Sequence, residues 1–153
     1  MNRNTVRPYV NTYCRLRDVQ YAAYTSYAKA HGLTTNELFV LDILWFAPDG
    51  CLQSDICQRM SATKQTISAI VKKFLKQGYV SLTESQTDRR HKIISLTPKG
   101  QAYTERIIVP AANAELDAMA VLSEQDAAEL IRLTTLFSQK MKEKFSQALH
   151  QEI

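Results

Sequence analysis

The chain has 153 residues, 45% of them hydrophobic and 22% charged, with four glycines and four prolines. That length suits one domain with extensions and is enough for a real core. The composition is that of an ordinary globular protein rather than a disordered one, and its few glycines and prolines favour long helices over a loop-rich β fold. No apolar run approaches the roughly 18 residues that span a bilayer, and the opening MNRNTVRPYV lacks the apolar stretch of a signal peptide, so no membrane partner and a cytoplasmic location are expected.

The net charge is +4, but it is unevenly placed. Residues 61–100 hold eight cations (Lys64, Lys72, Lys73, Lys76, Arg89, Arg90, Lys92 and Lys99) against two anions, Glu84 and Asp88, so this block carries +6 and the remainder −2. Such a concentration is the footprint of a polyanion partner, although a solvated face has the same charge. Cys14, Cys51 and Cys57 make an odd count without metal-ligand spacing, and His31, His91 and His150 are scattered. Neither a disulfide framework nor a structural metal site is expected.

In chain order, apolar and aromatic positions from Val6 to Ala28 recur at three- and four-residue steps, predicting a first helix over 7–30 that Gly32 ends. The run TTNELFVLDILWF opens on Thr34 with Glu37 three residues on, a capping-box pattern, and its apolar density predicts a central helix. APDG at 47–50 is turn chemistry, and a short helix over about 52–60 follows with Ile56 and Met60 facing inward. Next comes SATKQTISAIVKKFLKQG, capped by Ser61 or Thr63 and ended by Gly78. Ile67, Ile70, Val71, Phe74 and Leu75 form its apolar stripe. Gln65, Ala69, Lys72 and Lys76 fall opposite that stripe, with Ser68 beside them.

YVSLTE and KIISLT alternate like short strands around the seven-residue link SQTDRRH, predicting an open-tipped hairpin. Thr97 then caps a long helix with Pro98 at its first position, running to about residue 121 with a kink at Pro110. Ser123 and Asp126 restart the chain as a last helix whose apolar stripe is Leu130, Leu133, Phe137, Met141 and Phe145.

Two short helices joined by a tight turn, then a hairpin, describe a winged helix-turn-helix within a mainly α fold that has a small β-hairpin wing. The major groove of B-DNA admits one α-helix. Lys64, Lys72 and Lys73 along the second helix can reach phosphates, releasing counterions. A core helix with a wet lysine face explains the stripe but not the basic hairpin beside it.

The run QTISAIVKKFLKQGYVSLTESQTDRRHKIISLTPKG resembles the recognition helix and wing of the MarR family of bacterial transcription regulators. Its most specific part is Asp88-Arg89-Arg90, five residues, then Leu96-Thr97-Pro98-Lys99-Gly100. The resemblance implies a homodimer that binds a pseudo-palindromic double-stranded operator, commonly as a repressor, and releases it on binding a phenolic or other small effector, or on oxidation of a cysteine. It matches Ser61, Thr63, Gln65, Thr66, Ser68 and Lys72 to the groove-reading helix, Arg90 to the wing arginine that enters the minor groove, and Asp88 to the carboxylate that orients it. Arg89, His91 and Lys92 face phosphates or solvent. A winged core over about 33–100 is then flanked by dimerisation helices at about 1–32 and 101–153.

Tyr13, Tyr21 and Tyr24 crowd the first helix and, with Trp45, are candidates to line an effector pocket, although they serve equally well as core. Cys14 is the one cysteine placed for redox sensing and serves equally well as a small buried hydrophobe. Two other classes remain for comparison. A winged-helix module that contacts only protein predicts no retained duplex at low salt. An enzyme is not expected, because no phosphate loop, nucleophile elbow or metal-binding motif is visible, and no cofactor is expected either.

Overall fold

The computed structural model describes residues 2–84 and 92–150. Helices α1 (Arg3–Ala30) and α2 (Thr35–Trp45) precede strand β1 (Cys51–Leu52), and α3 (Gln53–Met60) and α4 (Lys64–Gln77) follow it. Strands β2 (Val80–Glu84) and β3 (Lys92–Leu96) lead to α5 (Pro98–Ala120) and α6 (Glu124–Leu149). The fold is mainly α with a small antiparallel sheet, as the sequence predicts. The chain divides into two compact units, Met1–Val109 and Pro110–Ile153.

Helix α2 is the centre of the first unit. Thr34 and Glu37 close a reciprocal capping box: the Glu37 amide donates to Thr34 Oγ1 at 3.2 Å and the Thr34 amide to Glu37 Oε2 at 2.9 Å. Leu38, Val40, Leu41, Ile43 and Leu44 are all buried. They join Ile56 of α3, Ile67, Ile70, Val71 and Phe74 of α4, Val80 and Ile94 of the sheet, and Ile107 and Ile108 of α5 in one core cluster. Ala28 and the half-buried Tyr24 and Tyr27 bring α1 onto the same cluster.

Two boundaries differ from expectation, and at a third the structure selects one of the two expected caps. α1 starts at Arg3 rather than residue 7, because Asn2 caps it, its Oδ1 accepting from the Thr5 amide at 2.9 Å. Pro8 is accommodated in the second turn. The short helix starts at Gln53, since Cys51 and Leu52 form a third strand paired with Ile94 and Ile93, giving the order β1-β3-β2. Gly50 makes this pairing reachable: it sits at φ +79°, and a side chain there would meet the Ile94 carbonyl at 2.6 Å. Finally, Thr63 and not Ser61 caps α4, its Oγ1 accepting from the Thr66 amide at 3.2 Å. Ser61 instead closes α3 in the left-handed region at φ 50°, with the Ala62 amide returning to the Cys57 carbonyl at 3.0 Å.

Candidate nucleic-acid interface

The stripe of α4 is sealed: Ile67 and Phe74 are fully buried, with Ile70 and Val71 nearly so. This fixes the roll of the helix. The opposite side forms a shallow concave face lined by Thr63, Lys64, Gln65, Ser68, Ala69 and Lys72. Most of the residues that the sequence assigns to the groove-reading helix are thus brought to one surface. Ser61 is exposed in the preceding turn, and Thr66 is half-buried, its hydroxyl 2.9 Å from that of the cap Thr63. Lys92 is exposed at the start of β3. Asp88, Arg89 and Arg90 lie outside the described residues.

Lys73 behaves differently from its neighbour Lys72. Its Nζ donates to Glu37 Oε1 at 2.7 Å, so it faces α2 and not the concave face. Burial alone would push the Glu37 carboxyl up. The hydrogen bonds from Lys73 and the Thr34 amide, with the Lys73 charge, more than offset this and hold it below its ordinary value. Glu37 therefore ties α4 to the capping box of α2. The two residues are 36 positions apart, and nothing in the local pattern links them.

Gln53 is a second residue that sequence reading does not single out. It is the first residue of α3, and its side-chain amide donates to the Lys64 carbonyl at 3.2 Å and to Ser68 Oγ at 2.7 Å.

The far end of α4 is clamped to α5. Gly78 ends α4 at φ 73°, and the Tyr79 amide returns to the Phe74 carbonyl at 2.9 Å. Thr97 donates its amide to the Tyr79 carbonyl at 3.0 Å and its hydroxyl to the Gly78 carbonyl at 2.6 Å, while capping the Gly100 amide at 3.0 Å. Lys99 Nζ reaches the Gln77 carbonyl at 2.8 Å, and the rings of Tyr79 and Tyr103 stack at 4.1 Å. A side chain at Gly100 would run into the Tyr79 carbonyl. The last residue of the L-T-x-x-G pattern is a glycine because a backbone passes there.

The aromatic candidates do not share one cavity within the described chain. Tyr21 and Tyr24 both meet Phe39, at 6.5 and 5.3 Å between ring centroids. Trp45 lines a separate groove with Leu44, Ala47, Pro48, Leu96, Gln101 and Glu105. Tyr13 is half-buried on α1. Cys14, also half-buried, lies one turn before Arg17, whose guanidinium is paired with Asp18 at 2.8 Å. Among the described residues there is no cluster of three His, Cys, Asp or Glu able to hold a metal, and no helix long and apolar enough to cross a membrane.

A helix-turn-helix with its second helix rolled outward, followed by a hairpin on a three-stranded sheet, defines a winged helix-turn-helix protein. Residues 31–91 match the sequence model of the MarR family. The chain is 38% identical over 79 residues to the HTH-type transcriptional regulator PrsX of Escherichia coli, a stretch covering 51% of this chain and 48% of that protein. The chain thus spans about half the length of the curated relatives it matches. Its fold is similar to AbsC, a MarR family transcriptional regulator from Streptomyces coelicolor (TM-score 0.77, 18% identity, 94% of this chain and 98% of that one). It is also similar to MepR of S. aureus in a DNA complex (TM-score 0.67, 22% identity, 83% and 97%).

Proposed function

We propose that the protein is a sequence-specific, double-stranded DNA-binding transcription regulator that works as a homodimer on a pseudo-palindromic operator. The observation that carries this reading is the concave face of α4, where donors at the helix start give way to Lys72 about two turns on, opposite a buried apolar stripe. The positive end of the helix dipole and the lysine charge suit a phosphate backbone, and the fold is shared with MepR, which has been solved on DNA. Residues 33–100 form the reading part, with the wing arginine Arg90, oriented by Asp88, entering the minor groove beside it.

The dimer is supported by the second unit taken alone. α6 has no buried residue, yet Leu130, Ile131, Leu133, Leu136 and Met141 stand exposed along it. A helix of this kind gains its stability by burying an apolar face, and a second copy supplies one with the two-fold symmetry that paired half-sites require. Regions 1–32 and 101–153 are assigned to this interface. The regulator acts as a repressor in the cytoplasm, released by a small effector, for which the groove beside Trp45 offers an apolar wall with Gln101 and Glu105 as polar partners.

The test is selection of genomic fragments by purified protein over a salt series. Specific retention that weakens steeply with salt is expected, with the slope reduced by about one in Lys72→Ala. A marked loss of affinity is expected in Arg90→Ala. A protein that retains no duplex at low salt is a protein-interaction module instead.

A further inference from the structure

We propose that Gln53, on α3, fixes the hydrogen-bonding role of Ser68 on α4 and so determines which base edge that serine reads. The inference rests on the DNA-binding reading above. Gln53 follows Leu52, which occupies the N-cap of α3 without a side-chain cap bond, and its own side chain makes no local bond but reaches across to the neighbouring helix. One end of that amide is assigned by chemistry. The Lys64 carbonyl can only accept, so the group 3.2 Å from it is the amide nitrogen. The same nitrogen lies 2.7 Å from Ser68 Oγ and brings its second hydrogen there, so the Ser68 oxygen is the acceptor of that pair.

The Ser68 proton then needs another outlet. A helical serine commonly donates to the carbonyl four residues earlier, which here is Lys64 and is already occupied by Gln53. What remains is the concave face that Ser68 shares with Gln65, Ala69 and Lys72. The Ser68 oxygen keeps one further lone pair, but with the other taken by Gln53 its unpartnered proton biases Ser68 toward donating into the groove. In the major groove the groups that accept are purine N7, guanine O6 and thymine O4, whereas cytosine presents an amino donor. Ser68 is a specificity residue that favours an acceptor edge over the cytosine amino group at one position of each half-site. Gln53 is the positioning residue behind it.

The experiment selects duplexes from a randomised library with the full chain and with Gln53→Ala, Ser68→Ala and the double variant. The wild type should disfavour cytosine at one position by about threefold to tenfold, the range of one neutral hydrogen bond. Either single substitution should flatten that position, and the double variant should flatten it no further. Because no phosphate contact is removed, the salt slope should be unchanged in all three. Gln53→Glu keeps the shape but accepts from Ser68 in place of donating to it, so the cytosine penalty should vanish there as well in a protein whose thermal melt shows it folded. Uniform weakening in Gln53→Ala with the Ser68 preference intact overturns the proposal, as does a change at a different position. A wild type that selects duplexes while Ser68→Ala keeps every preference sinks this inference alone. A wild type that selects nothing sinks the DNA-binding reading with it.

Discussion

Helices α2 and α6 place apolar side chains in opposite circumstances. α2, with 11 residues, buries six of them. α6, with 26, buries none, although leucines, an isoleucine and a methionine run its length. α2 packs inside its own chain, and the roll of every neighbour follows from it. α6 carries a stripe of the same chemistry, with Leu130, Ile131, Leu133, Leu136 and Met141 left exposed along it. Equal hydrophobicity therefore means core in one region and an exposed face in the other, the face to which the proposed second copy is assigned.

The comparison breaks most visibly at Phe74, fully buried in the first unit. Phe74→Ala should cost about 3–5 kcal/mol in denaturant unfolding, the range for a large core truncation; a loss under about 1 kcal/mol would mean that the core of this unit is loose. Gly100→Ala should come next. Alanine normally stabilises a helix relative to glycine, but a methyl here meets the Tyr79 carbonyl, so about 1–3 kcal/mol should be lost, read as a lower melting temperature. A neutral or stabilising result would show that α4 and α5 are not clamped.

The pair Lys73 and Lys72 sharpens the contrast within one helix. Glu37→Gln and Lys73→Ala should each cost about 1 kcal/mol, as the bridge is half open to solvent on the lysine side, and should leave the salt slope of duplex binding unchanged. Lys72→Ala should do the reverse. Because the Glu37 carboxyl is held below its ordinary value of 4.5, its contribution is present above that pH and is lost as pH falls through the lowered folded value. Glu37→Gln should show a shallower acid limb in thermal melts. Thr104 gives a gain of similar size: its hydroxyl is fully buried with no hydrogen-bond partner, so Thr104→Val should stabilise by about 1 kcal/mol. The smallest effect is expected on α6. Leu133→Ala should change the unfolding of dilute single chains by less than about 0.5 kcal/mol, whereas Leu133→Asp should shift sedimentation of concentrated protein toward monomer. A Leu133→Asp protein that sediments like the wild type at every concentration removes α6 from the interface.

Much of this fold is legible locally. The capping box at Thr34, the side-chain cap at Ser123, the glycine stop at Gly78 and the stripe from Ile67 to Phe74 are all patterns within one turn or one helix. What was not legible depends on distant partners. Two residues, Cys51 and Leu52, are too few to show a period, and they form a strand only because Ile93 and Ile94 lie alongside. Gln53 looks like any polar residue at a helix start until Ser68 is placed 2.7 Å away. Lys73 reads as one more cation of the basic face, and only the buried Glu37 turns it inward. The wing residues Asp88, Arg89 and Arg90 lie outside the described part, so for them the sequence resemblance stands by itself.

The clamp at Thr97 and Gly100 has a consequence for engineering chimeras. A grafted reading head that ends at the last wing strand would leave its Gly78 carbonyl and Tyr79 backbone facing a foreign helix start, without the hydroxyl and the missing side chain that they require. The natural crossover point for exchanging specificity between relatives is therefore past Gly100, inside the first turn of α5, not at the loop where the wing ends.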